Sequence, residues 1–97
     1  TVPTGRAHWH VLLRARAIET GCFVFAPAQC GTHYGRRRTY GHSLIVDPWG
    51  EVLAEGGETP GVIAANINLG AVVQARAKVP SLRHDRPFAL PARLAAE

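Results

Sequence analysis

Apolar residues near the start of the chain recur at helical spacing and predict a helix from Gly5 to about Thr20. They fall on two faces, one with Ala7, Val11, Ala15 and Ile18, edged by Leu12, and one with Trp9, Leu13 and Ala17. A narrow polar stripe of Arg6, His10 and Arg14 runs between the faces. Because so little of its surface is polar, the helix is expected to be covered on two sides, by its own sheet and by something else.

Turn-forming residues divide the next part of the chain into short elements. Thr4 is the predicted N-cap of the helix and Gly21 its left-handed C-cap. Runs of β-prone residues predict strands at 22–29, 42–47, 51–54 and 62–67. The first run is apolar almost throughout, which is typical of a strand buried on both faces, and Pro27 indicates a bulge or the strand end. The turn DPWG makes the second and third strands a hairpin.

The remaining segments complete a predicted α/β layered domain. Segment 31–41 is rich in Gly and charge and is predicted to be a loop. A second helix is predicted over residues 69–78, capped by Asn68 and stopped by Pro80. The order helix, strand, hairpin, strand, helix predicts a sheet covered by helices on one face. Beyond Pro80 the chain is predicted to be an extended tail that includes residues 89–97, and its apolar residues Leu82, Phe88 and Leu90 favour packing on another surface.

Composition limits the chain to one small core. Of its 97 residues, 46% are hydrophobic and 19% are charged, which is typical of a globular domain. A chain of this size buries only about two-thirds of the surface that its unfolded form exposes, so partner surfaces are expected.

The formal net charge of +4 does not predict a nucleic-acid or membrane partner. The basic residues are scattered apart from Arg36, Arg37 and Arg38, and no aromatic residues alternate with them in the way that stacks bases. The arginine run has two open interpretations, a binding site for an anionic group and a solvated loop.

Cysteine usage and the absence of targeting signals favour a cytoplasmic protein. Cys22 and Cys30 lack the spacing of a redox or zinc motif and are interpreted as reduced, partly buried thiols. No segment has the pattern of a signal peptide or the ~20 apolar residues of a membrane span. Because the sequence begins at Thr1 and contains no Met, we expect a piece of a longer polypeptide, although Met removal or processing would also explain this start.

Candidate chemistry is sparse when it is judged by spacing alone. His8 and His10 lie two apart on a helix, hence on different faces, and no spacing among the five histidines predicts a metal site. Cys22 or, as the better candidate, Cys30 could formally act as a nucleophile with His33 or His42 as base, but a packed thiol at a strand end is the favoured interpretation. The segment 40–43 enters a strand, where Tyr40 and His42 would either face a pocket or make structural hydrogen bonds.

Several motifs in this order resemble the C-terminal portion of the nitrilase superfamily of carbon-nitrogen hydrolases, especially its amidase-like Nit branch. They are AHW, LLRARAIE, AQCG, GHS and DPWG, and the resemblance covers about residues 1–88. It implies the C-terminal part of a four-layer αββα sandwich. It also implies hydrolysis of a small non-peptide amide, or a nitrile, by a Glu-Lys-Cys triad through a thioester acyl-enzyme, without a cofactor.

The resemblance also implies that the triad lies outside these 97 residues. In the family the triad precedes the part that resembles this chain, and its nucleophile lies in a segment of the type CYDLRFPE, which is absent here. The sole lysine, Lys78, lies in the predicted second helix. We therefore expect no catalytic residue and no metal ligand in this chain and no activity of the chain alone. The alternative function is a non-catalytic remnant that acts as an interaction or dimerisation module.

Two groups of positions carry over from the family. Thr1 and Tyr40 correspond to positions near the mouth of the substrate pocket. The expected homodimer interface comprises Leu12, Leu13, Arg16, Glu19 and Phe88.

Overall fold

A computed structural model describes residues 1–92 and begins with a long helix, α1, over Val2–Thr20. The helix starts earlier than predicted, with Thr1 rather than Thr4 at the N-cap, because Pro3 is accommodated in the first turn, where its missing N–H is not needed. Its end is as predicted: Gly21 adopts φ 63° and donates its backbone N–H to the Ala17 carbonyl.

A three-stranded antiparallel sheet lies behind α1. Its strands are Val24–Ala26 (β1), Leu44–Val46 (β4) and Val52–Glu55 (β5), and they lie side by side in the order β1-β4-β5. The predicted DPWG hairpin between β4 and β5 is confirmed, since the Asp47 carboxylate accepts 2.9 Å hydrogen bonds from the backbone N–H groups of Trp49 and Glu51. β1 is shorter than predicted and ends immediately before Pro27.

The core lies between α1 and the central strand β4. Ala17, Leu44 and Val46 are buried there, and the apolar face of α1 that packs on them contains Trp9 and Leu13. The small Ala17 allows the helix backbone to approach the sheet closely. The second apolar face remains open, as Val11 is 66% and Leu12 62% exposed. One sheet face is open as well, because Phe25 of β1 is 59% exposed, so the prediction that β1 is buried on both faces is wrong.

The predicted loop at 31–41 is instead a β-hairpin. Strands Cys30–His33 (β2) and Arg37–Tyr40 (β3) pair antiparallel and form a separate two-stranded sheet. Tyr34 and Gly35 turn the chain with positive φ angles of 54° and 75°. A 2.7 Å hydrogen bond between His33 Nε2 and Thr39 Oγ1 joins the two strands. Composition alone does not predict a contact of this kind between side chains.

The strand predicted at 62–67 is absent from the described structure. Its residues are not hydrogen-bonded to a neighbouring strand, although Ile63 and Ala65 alternate with exposed residues as in an extended chain. The alternation of exposed and less exposed residues is that of a strand, but a strand also needs a hydrogen-bonded neighbouring strand. Helix α2 follows at Gly70–Lys78, close to its predicted bounds. Its N-cap is Leu69 instead of the predicted Asn68, whose Oδ1 accepts a 3.0 Å hydrogen bond from the Gly70 N–H in the turn before the helix.

A 3-10 turn at Ser81–Arg83 begins the C-terminal segment. The apolar side chains Leu82, Phe88 and Leu90 are 80%, 85% and 61% exposed. Residues 93–97 of the predicted tail lie outside the described structure. Within residues 1–92, the helices all fall short of the length or the hydropathy that crossing a membrane requires.

Candidate functional site

A cavity of about 300 Å³ opens between the start of α1 and the end of β3. Both pocket-mouth positions suggested by the resemblance, Thr1 and Tyr40, line it, together with Thr4, Gly5, His8, Trp9, Leu12, Ala28, Gln29 and Gly41. Hydroxyl, imidazole and amide groups thus stand beside apolar carbon, which is the usual lining of a small-molecule site.

Tyr40 is positioned by a close approach of α1 to β3. A Cβ atom at Gly5 would lie 2.5 Å from the Tyr40 Cβ, so only glycine allows the helix to lie this near to the strand. The Tyr40 ring stacks on His42, with 4.2 Å between ring centroids. Both contacts fix the aromatic ring at the boundary between the cavity and a second group of polar side chains.

That second group is a cluster of two imidazoles around one carboxylate. His10 Nε2 and His42 Nδ1 each lie 3.0 Å from Oε2 of Glu55. His42 Nε2 lies 3.6 Å from Glu58 Oε1. Three parts of the chain meet here, since His10 belongs to α1, His42 to the turn before β4, and Glu55 to the end of β5.

Backbone contacts hold His42 in this position. The Trp9 indole donates a 2.7 Å hydrogen bond to the His42 carbonyl, and the His42 N–H donates to the Gly57 carbonyl at 3.1 Å. His42 has a positive φ of 58°, an unusual conformation for a residue with a side chain. The turn therefore aims the imidazole at Glu55 instead of along the strand.

The two imidazoles lower the pKa of Glu55 below its ordinary value. The hydrogen bond from His42 is the largest cause, and the hydrogen bond and charge of His10 add to it, while partial burial acts in the opposite direction. Glu55 therefore remains a carboxylate to lower pH than a free glutamate does.

Neither cysteine is arranged as a nucleophile with a histidine base. Cys30 lies in β2 opposite Tyr40, whereas His33 Nε2 bonds to Thr39 and the ring nitrogens of His42 face Glu55 and Glu58. Cys22 follows the end of α1, where its sulfur lies 3.2 Å from Nη2 of Arg76. Both placements agree with the interpretation of the thiols as structural.

The expected interface residues occupy different environments. Leu12 is exposed, whereas Leu13 packs on the chain's own core. Arg16 and Glu19 are exposed and form a 2.8 Å ion pair, and Phe88 lies exposed in the C-terminal segment. The arginines at 36–38 are exposed on the β2–β3 hairpin.

Sequence reasoning missed most of the cluster. His10 and Arg14 were assigned to a polar stripe, yet His10 contacts Glu55, and Arg14 Nε donates a 2.7 Å bond to the Gly50 carbonyl. Glu55 was not singled out at all. Of the signals in the sequence, only the position of His42 at the entry to a strand pointed here.

Comparison with known proteins identifies the family. Residues 2–77 match the carbon-nitrogen hydrolase family, and the chain belongs to it. The crystal structure of Saccharomyces cerevisiae Nit3, a member of branch 10 of the nitrilase superfamily, superposes with a TM-score of 0.79 at 32% identity, covering 87% of this chain and 31% of that one. The predicted superfamily and α/β fold class are confirmed.

Two curated relatives have a higher sequence identity to this chain than Nit3 does. The deaminated glutathione amidases of Synechocystis sp. and Homo sapiens are each 56% identical to this chain over 84 residues, or 87% of its length. Those residues are 31% of the Synechocystis protein and 26% of the human one. The chain thus spans less than a third of the length of these relatives.

Proposed function

We propose that this chain is the C-terminal segment of an amide hydrolase and supplies part of its substrate pocket but none of its covalent chemistry. The parent enzyme would hydrolyse a small non-peptide amide, or a nitrile, with a Glu-Lys-Cys triad from outside these residues. The main support for this proposal is that Thr1 and Tyr40 both line one cavity next to α1. Family membership and the amidase relatives support the reaction class.

The chemistry of the described residues fits this division of roles. An acyl-enzyme route needs a nucleophile, a base within hydrogen-bond reach and a donor for the oxyanion. Cys30 faces no histidine base, and Lys78 lies over the Trp49 ring, 5.1 Å from its centroid and in a different element from the cavity. By contrast, the cavity offers shape and hydrogen-bonding groups, which serve substrate binding.

A chimera tests the proposal. The matching 84 residues of the Synechocystis amidase are replaced by this chain, and hydrolysis of deaminated glutathione is measured. We expect an active enzyme, because the triad is retained and the cavity wall is supplied by related residues. Removing the Tyr40 side chain with Tyr40→Ala should raise KM, whereas Tyr34→Ala, at a fully exposed tyrosine on the β2–β3 turn, should leave it unchanged. A folded but inactive chimera contradicts the proposal.

A second candidate function is favoured by the open apolar face of α1. Val11, Leu12 and Ile18 are 66%, 62% and 50% exposed, and contiguous apolar surface of this kind marks interaction sites. The chain would then be a non-catalytic module that pairs with a second copy of itself through α1. The chimera distinguishes the two, because a remnant that acts only in pairing has no reason to maintain a working pocket wall.

A further inference from the structure

We propose that His10, His42 and Glu55 form a binding site for a divalent transition-metal ion of the zinc type. Among residues 1–92 they are the one group of three His, Cys, Asp or Glu side chains whose ligand atoms converge, all lying within 4.8 Å of one another. Two imidazoles and one carboxylate are a ligand set that zinc uses where it keeps an open coordination position.

Two of the three separations in the cluster are close to those around a tetrahedral ion. Zinc bonds to nitrogen and oxygen ligands are about 2.0–2.2 Å long, which places neighbouring ligand atoms about 3.3–3.6 Å apart. Both imidazole nitrogens lie 3.0 Å from Glu55 Oε2, and the two nitrogens lie within 4.8 Å of each other, so side-chain rotations would bring all three atoms to one ion. In the metal-free chain His42 Nδ1 is hydrogen-bonded to this oxygen and His10 Nε2 lies at ion-pair distance from it. A ring nitrogen that binds an ion carries no proton, so each ring would carry its proton on the other nitrogen.

A second carboxylate lies near the other ring nitrogen of His42. His42 Nε2 is 3.6 Å from Glu58 Oε1, so with His42 Nδ1 on the ion a small movement of the exposed Glu58 side chain would bring it within hydrogen-bond distance. Histidine ligands in metal sites commonly donate their free N–H to a carboxylate, which fixes the ring and strengthens the ligand. The Tyr40 ring, stacked on His42, restrains it from the other side.

The site is accessible and joins separate parts of the fold. The side chains of His10, His42 and Glu55 are 31%, 20% and 40% exposed, which leaves an entry path and a position for water on the ion. An ion bound to all three would link α1, the turn before β4 and the end of β5. Because it would bind the folded chain and not the unfolded one, it would raise the thermal midpoint. Through Tyr40 it would also lie beside the cavity.

Metal titration of the full 97-residue chain tests the site. The chain is freed of metal with a chelator, dialysed, and titrated with ZnCl₂ by calorimetry and with CoCl₂ by visible absorption. Two variants remove ligands with little change of shape: His10→Phe keeps an aromatic ring against Tyr40, and Glu55→Gln is isosteric. The matched control is His8→Phe, which makes the same substitution on the same helix but on another face. Circular dichroism verifies that each variant is folded.

We expect one Zn²⁺ per chain, a rise in the thermal midpoint on binding, and the absorption of four-coordinate Co²⁺. Binding should weaken at least about tenfold in His10→Phe and Glu55→Gln and stay unchanged in His8→Phe. Three outcomes overturn the proposal: no stoichiometric binding, equal binding in all variants, or a thiolate-to-cobalt charge-transfer band, which would assign the ion to Cys22 or Cys30.

Discussion

At the scale of single residues, His10 shows how a side chain acquires a role that its spacing conceals. By helical period it belongs to a polar stripe with Arg6 and Arg14. In the fold it turns to Glu55, whose carboxylate it shares with His42. Because His10, His42 and Glu55 come from separate elements, only the folded chain brings them together. Helical periodicity alone could not have predicted that His10, on a polar stripe, contacts the sheet instead of facing solvent.

The lowered pKa of Glu55 predicts a specific pH dependence of stability. A carboxylate whose folded pKa lies below its unfolded value stabilises the fold above the ordinary glutamate pKa of about 4.3. That contribution is lost as pH falls through the depressed folded pKa. Since the side chain is 40% exposed, water screens the interaction, and we expect no more than about 1 kcal/mol.

Urea unfolding of the metal-free chain and of Glu55→Gln between pH 6 and pH 3 measures this effect. The wild type should be the more stable of the two at pH 6, and the difference should shrink towards pH 3. Glu51→Gln, at an exposed residue in the turn before β5, is the control and should show no such trend. A difference between wild type and Glu55→Gln that does not vary with pH would contradict the assignment.

At the scale of elements, predictions succeeded where local chemistry decides the structure. The DPWG turn and the Gly21 cap each act within a few residues, and both are confirmed. Predictions failed where pairing with another strand decides the structure. Residues 62–67 have the strand period but no paired neighbour among the described residues, and residues 30–40 form a hairpin despite a loop-like composition.

Gly41 has a role at this scale that substitution can isolate. It has φ +72°, and an added Cβ would lie 2.8 Å from both the Gly57 carbonyl oxygen and the Cys30 Cβ. Gly35 has nearly the same φ, +75°, with nothing within 4 Å. Gly35→Ala should therefore cost only the left-handed strain of about 1–2 kcal/mol. Gly41→Ala should cost about 1–3 kcal/mol more, because backbone atoms cannot move aside easily.

Thermal or urea unfolding of both variants measures the difference in unfolding free energy. Gly35 and Gly41 have nearly the same backbone conformation. Comparing the two variants therefore separates the cost of close packing from the cost of left-handed backbone strain. Equal losses would show that the 41–42 turn is not tightly packed between β2 and the 56–58 segment.

At the scale of the whole molecule, the chain exposes more surface than a compact protein of its mass. Its accessible surface is 7764 Å², against about 5,400 Å² expected from the scaling for folded monomers of 10.4 kDa. The radius of gyration is 18.7 Å, whereas a compact domain of this length has about 13 Å. The exposed face of α1, the open face of β1 and the apolar C-terminal side chains account for part of this excess.

We predict that the free chain self-associates through its exposed apolar surface. In sedimentation velocity we expect the apparent mass to rise with concentration. Leu12→Glu should shift the chain towards monomer, because it places a charge on the exposed apolar face of α1. Leu12 itself is 62% exposed. Val73→Glu, on the 71% exposed α2 position, is the control and should leave association unchanged. A folded wild-type monomer at high concentration would count against an interface on α1.

If this chain shapes a pocket and carries no nucleophile, the purified 97-residue chain should have no hydrolase activity. Ammonia release is measured on a panel of small primary amides and nitriles, for the wild type and for Cys30→Ala, with Cys22→Ala as the matched control. We expect no turnover by any of the three above the buffer rate. Turnover by the wild type that persists in Cys22→Ala and disappears in Cys30→Ala would contradict it, because Cys30 would then be a catalytic nucleophile within this chain.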